Sequence, residues 1–264
     1  MDVYGYFAAA LIGVSLGLIG GGGSILTVPV LVYLFGLSPL LATSYSLFIV
    51  GSTSLLGAVN NYRRGFVNVK VAFLFSLSSI STVFLIRKFL IPLIPKTIIT
   101  VYGFTITEQL LTMVLFALLM LVSAIGMIRN GELKETIPRP VKQPVFKLLC
   151  YGIGIGLTTG LLGAGGGFLI IPTLVLLLGL DMKEAVGTSL LIIALNSLVG
   201  FVGDLGHFTI NWKFLGAISS IAIAGIFIGG YLAKKFDEER LKKSFGIFVL
   251  IMGAGILIKE LLAL

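Results

Sequence analysis

Two glycine tracts interrupt apolar runs of this chain: "GLIGGGGSIL", Gly17 to Leu26, and "GLLGAGGGFLIIP", Gly160 to Pro172. Each glycine costs a helix interior about 1 kcal/mol relative to alanine. The run Gly20, Gly21, Gly22, Gly23 therefore predicts a break, with a new helix expected after each tract, at Ser24–Ile25 and at Gly167–Phe168. A helix start offers unpaired N–H donors and the positive end of a dipole, and glycine lets a ligand approach that backbone closely. The chemistry this suits is reversible capture of a small oxyanion. No Lys or Arg is expected deep in any span, which leaves the backbone to supply the field, up to about 1–2 kcal/mol per helix end. The expected substrate contacts are Gly20, Gly21, Gly22, Gly23 and Ser24 in the first tract, with Gly163, Gly165, Gly166 and Gly167 in the second.

Other glycines read differently. Gly13 with Gly17, and Gly152 with Gly156 and Gly160, keep the small-xxx-small spacing of close helix packing and are expected to be seams. The second tract, with Asp181 and Glu184 about 20 residues on, imitates a dinucleotide fingerprint but lacks its βαβ setting. "GGGGS" lacks the lysine of a phosphate loop, so no nucleotide or other cofactor is expected.

A second polar cluster follows each tract: "ATSYS" at Ala42–Ser46, "GSTS" at Gly51–Ser54 and Asn60–Asn61, against "GTS" at Gly187–Ser189, Asn196, Ser197 and Asp204. A hydroxyl in such a span ordinarily bonds its own helix. Recurrence at Ser46 and Ser189, and at Ser54 and Ser197, instead suggests a shared polar lining, to which Thr188 and Asn196 would contribute. Asp204 and His207 are the candidates for a proton or cation coupling element; the alternative is ordinary polar residues at a helix end.

These groups must be held by membrane-spanning elements. The 264 residues are 57% hydrophobic and 11% charged, with a mean hydropathy of +1.11, too apolar for a chain that covers itself with polar side chains. Runs of roughly 20 apolar residues are predicted at Pro39–Ala58, Val67–Leu90, Gln109–Ile128, Lys183–Val202, Lys213–Leu232 and Leu241–Leu261. The net charge of +8 resides in short loops, where topology accounts for it, so no nucleic-acid partner is expected. One cysteine, Cys150, and one histidine, His207, exclude an internal disulfide and a His-rich metal site. The start "MDVYGYFAAALIG" has no basic stretch, so the first apolar segment is expected to stay.

The two tracts are copies. At an offset of 143 positions Gly20 falls on Gly163, Pro29 on Pro172, Ser46 on Ser189 and Asn68 on Asn211, and Ile12 to Lys70 shows about 24 identities in about 59 positions, the mark of a duplication. If each tract crosses the bilayer once, Lys and Arg divide almost evenly between the faces. If each is the tip of a re-entrant hairpin, its arms of about 13 to 17 residues reach the middle of a ~30 Å core and return. Three spans then follow in each half, the second half enters upside down, and Lys and Arg divide about 14 to 5, as the positive-inside rule requires.

The expected fold is thus an all-α polytopic membrane protein of two inverted repeats, each a Gly-tipped broken helix or re-entrant hairpin plus three transmembrane helices. The repeats are expected at 1–130 and 146–264, with a cytoplasmic linker at 131–145. Both termini are expected outside a cell (inner) membrane, and the sequence leaves open whether the chain forms a homodimer.

The pattern "GxGGGxxxxP" in both halves (Gly20–Gly23 with Pro29, and Gly163–Gly167 with Pro172), followed by "A-x-x-T-S-L" at Ala185–Leu190, resembles the TauE/SafE family of membrane permeases. The resemblance covers essentially the whole chain, although the second motif is loosened to "ATSYSLF" in the first half. It implies export of sulfite, sulfonate or sulfoacetate. With a negative interior, each expelled anion gains about 2.3 kcal/mol per 100 mV, so export needs no coupling ion. A channel-like anion pore and ion-coupled uptake of another small anion are the alternatives. An enzyme is not expected, because no H-E-x-x-H or helically spaced Asp pair is present.

Overall fold

The computed structural model describes residues 3–95, 97–101, 104–129, 145–233, 235 and 238–262. The linker expected at 131–145 lies, apart from residue 145, outside the described residues. Ten α-helices follow in order: α1 Val3–Ile19, α2 Thr27–Tyr33, α3 Pro39–Arg63, α4 Val69–Leu85, α5 Glu108–Arg129, α6 Val145–Leu162, α7 Gly167–Leu178, α8 Met182–Asp204, α9 Trp212–Leu232 and α10 Glu238–Leu262. The six predicted spans correspond to α3, α4, α5, α8, α9 and α10, each with a stretch long and apolar enough to cross a membrane. α1, α2 and α6 provide only shorter apolar stretches.

Local signals set the boundaries. Asn68 and Asn211 cap α4 and α9, each side-chain oxygen accepting the backbone N–H three residues on, at 3.1 Å. Pro39 starts α3 in the first turn, where its missing N–H costs nothing. α4 runs on through a π-helical turn, Ile86–Leu90, and a 3-10 turn, Ile91–Leu93, within which Pro92 lacks the N–H a continuing α-helix needs. The segment that the first half carries in excess departs from the all-helical expectation. There, Thr97–Val101 and Phe104–Thr107 pair as an antiparallel hairpin, β1 and β2, in keeping with their β-branched composition.

The halves interleave rather than stack. α1 packs in parallel along α9 and α6 in parallel along α4, while α3 meets α8 and α5 meets α10 in antiparallel pairs. The register is visible at glycines: backbones touch at Gly13 and Ala222 and at Gly17 and Gly229, whereas the side chain of Leu190 lies on Gly57 and that of Leu47 on Gly200. Each half's first arm is therefore held by the other half. The seams expected at Gly13, Gly17, Gly152, Gly156 and Gly160 lie on α1–α9 and α6–α4, where a Cβ on Gly156 would stand 2.7 Å from Ser79 O.

A seam of this kind has no room for a side chain. Gly156→Leu is expected to lower the melting temperature in detergent by about 4 °C or more, whereas Gly154→Leu, whose Cβ meets nothing within 4 Å, should leave it unchanged. A scanning-fluorimetry comparison of the two variants checks this.

Candidate functional site

The two glycine turns meet each other. Gly20–Leu26 forms a 3-10 turn, so α2 starts at Thr27 and not at Ser24 as expected. Within this turn the Ser24 hydroxyl donates to Gly21 O, three residues back, at 2.8 Å. It also reaches Ala164 O in the other turn. Opposite, the Gly21 and Gly167 backbones touch so closely that a Cβ on Gly167 would lie 2.2 Å from Gly21 O. Since Gly21 corresponds to Ala164 and Ser24 to Gly167, these two contacts are equivalent across the repeat.

The second turn is more irregular. Gly163, Gly165 and Gly166 have φ of +66°, +67° and +70°, a region that residues with a Cβ rarely enter, and α7 begins at Gly167 as expected. Ser46 of α3 donates to Gly163 O at 2.8 Å. Gly20, Gly21, Gly23, Ser24, Ser46, Gly163, Gly165, Gly166 and Gly167 thus form one buried assembly. Gly22 sits in the first turn, and its surroundings lie outside what the structure describes.

The assembly has one open side and one closed side. A cavity of about 720 Å³ reaches Gly20 and is lined by Asn60, Asn61, Arg64, Lys183 and Tyr231 among others. It makes a vestibule at the C-terminal end of α3 and the N-terminal end of α8. Eighteen residues away along α3, about 27 Å, Thr43 lies at the closed end. There Arg87 Nη1 donates to Thr43 Oγ1 at 3.0 Å and pairs with Asp204 Oδ2 at 3.1 Å, and both charged side chains are 0% exposed.

Other expected residues lie elsewhere. Ser189 turns back to Val186 O of its own helix at 2.8 Å, unlike its counterpart Ser46. Thr188 Oγ1 accepts the Asn68 N–H at 2.9 Å, which ties α8 to the head of α4, and Tyr45 Oη does the same for Asn211 at 2.7 Å. Asn196 Oδ1 accepts the Ser79 hydroxyl at 2.8 Å, away from the turns. Asp204 is paired with Arg87, while His207 is exposed on the following loop.

Arg87 adds a buried basic side chain near the end of a span, which the expectation of backbone donors alone did not include. The available signal was its position inside the apolar run Val67–Leu90. Near the end of such a run an Arg normally reaches outward to water. The π-helical turn instead places it against Gly203 of α8, where a Cβ would be 3.0 Å from Arg87 Cβ.

The family model described as "Sulfite exporter TauE/SafE" matches residues 6–256. A probable membrane transporter protein of Xylella fastidiosa (strain 9a5c) is 28% identical over 251 residues, 92% of this chain and 90% of that protein. The probable membrane transporter protein YdhB of Bacillus subtilis (strain 168) is 26% identical over 250 residues, 94% and 96% of the two chains. No solved structure matches. With the match running through both glycine turns and all six long helices, this multi-pass membrane protein belongs to the TauE/SafE sulfite exporter family of membrane transporters.

Proposed function

We propose that the chain is a secondary transporter that exports small sulfur-containing oxyanions, sulfite or an organosulfonate, by alternating access around the paired glycine turns. The observation that carries this reading is the contact between the two turns, Gly21 on Gly167, at the inner end of a vestibule that reaches Gly20. Broken backbone at membrane depth is tolerated where protein packs it or water reaches it; the packing of the turns on each other and the cavity that reaches Gly20 support this reading. The start of α7 at Gly167 turns N–H groups and a positive dipole end toward the turns. Arg64 and Lys183 in the vestibule raise the local concentration of anions.

In this reading the halves are inverted repeats with re-entrant first hairpins. Support comes from the pairs that the repeat maps onto themselves, α3 with α8 and α5 with α10, both of which run antiparallel. An operation that exchanges the halves then also reverses helix direction, so its axis lies across the helices and in the plane of the bilayer. The vestibule end, rich in Lys and Arg, would face the cytoplasm of an inner membrane, with both termini outside. Export down the membrane potential, about 2.3 kcal/mol per charge per 100 mV, drives the cycle.

Three outcomes are expected. Proteoliposomes should carry radiolabelled sulfite in a saturable flux competed by organosulfonates, and ohmic single-channel currents would instead mark a pore. Ser24→Ala, which unties the turns, should lower maximal flux about tenfold at the cost of about 1 kcal/mol in stability; unchanged flux would remove the turns from the pathway. Arg64→Gln with Lys183→Gln should raise half-saturation from the vestibule side about threefold at low ionic strength, an effect that fades above about 0.15 M salt, read from initial rates.

A further inference from the structure

Arg87 and Asp204 are not required by the glycine turns. Both side chains are shut away from solvent, yet they meet through one guanidinium nitrogen, Nη1, which is shared with Thr43. Nε and Nη2 of Arg87 have no hydrogen-bond partner among the described residues. A pair built for stability would lie fork to fork, with two parallel bonds. A buried pair held by a single nitrogen gains little over apolar side chains of the same size.

The repeat points to another role. At the offset of 143, Arg87 falls on Gly230, Asp204 on Asn61 and Thr43 on Val186. All three counterparts line the open vestibule. The same place in the fold is plugged by an ion pair at one end and hollow at the other. The plug also adjoins the turns, since a Cβ on Gly163 would stand 2.6 Å from Thr43 O. Arg87 itself rides on a π-helical turn, a local loosening that recurs at functional sites.

We propose that Arg87–Asp204 is the lock at the end of the pathway opposite the vestibule, and that the transported oxyanion opens it by taking the place of Asp204 on Arg87. This rests on the reading of the chain as an oxyanion transporter. Parting the pair unloaded would leave the Arg87 guanidinium bare in an apolar interior. An anion arriving from the Gly163 turn finds Nε and Nη2 free, a planar fork that matches the oxygens of a sulfite or sulfonate group. The guanidinium stays neutralised throughout. Asp204 is released toward the exposed loop at Leu205 and His207, where water solvates it, and its return expels the anion. Opening is thereby tied to load without a coupling ion.

Hydrogen exchange on the purified full-length protein, in sodium sulfite or in sodium chloride of equal ionic strength, tests the lock. Sulfite should accelerate amide exchange at the lock end, residues 40–47 and 200–207, at least threefold, while residues 58–64 and 183–189 at the vestibule end become slower. Asp204→Asn should give the lock-end acceleration without sulfite, and Arg87→Gln should abolish the response to it. Sulfite flux through wild-type proteoliposomes is measured in parallel. Flux without a lock-end response to sulfite, or Asp204→Asn with unchanged lock-end exchange, overturns the lock and leaves the transport reading standing; no sulfite flux at all removes the transport reading and the lock with it. The sulfite comparison uses unaltered protein, so a variant that misfolds does not shelter the proposal.

Discussion

Backbone that leaves the helix within an apolar slab must find its hydrogen-bond partners inside the protein, because lipid offers none. Here the second turn finds two of them in the opposite half, while carbonyls of the first are bonded by its own Ser24 and Ser15. Ser46 of the first half bonds Gly163 O, Ser24 reaches Ala164 O, and Gly21 lies directly on Gly167. A hairpin that depends on the other half for its tip cannot be packed by its own half alone. The first arms accordingly cross over, α1 onto α9 and α6 onto α4, and glycine seams let those backbones approach.

Duplication gave the halves one architecture and later substitution gave them unequal chemistry. The head of α4 hangs on Thr188 and that of α9 on Tyr45, equivalent positions using different hydroxyls for the same bond. Such exchanges preserve the frame. Others do not: Ser46 holds the second turn while Ser189 bonds its own helix, and Arg87 fills a space that Gly230 leaves open. The second kind of exchange makes one end of the molecule a vestibule and the other a closed, charged contact. On the proposed inverted-repeat reading, unequal ends suit vectorial movement, since the two access states need not be equal in energy.

Neutralisation organises the polar interior. Two of the charged side chains, Arg87 and Asp204, are buried together, and with Thr43 they sit at the closed end of α3 rather than at the turns. The turns themselves carry no formal charge, only dipoles and backbone amide groups. On the proposed reading a site of that kind binds an anion weakly enough to release it, and the cation, already paired, acts at the closed end.

The sequence by itself determined the six long spans, the duplication with its offset, the breaks at both glycine tracts and the seams at Gly13, Gly17, Gly152, Gly156 and Gly160. Each of these follows from energies that accrue residue by residue along the chain, transfer of apolar side chains and the local cost of glycine in a helix, so a linear reading recovers them. Only the tertiary structure decided that the turns touch, that Thr188 serves a helix cap, and that Asn196 faces Ser79. These contacts join residues more than a hundred positions apart, and the interleaving of two halves sets their register. Arg87 is the clearest case: an arginine near the end of an apolar run ordinarily extends to the surface. Its turn inward is fixed by packing on Gly203 and by a carboxylate 117 positions along the chain, a pairing with no trace in local composition.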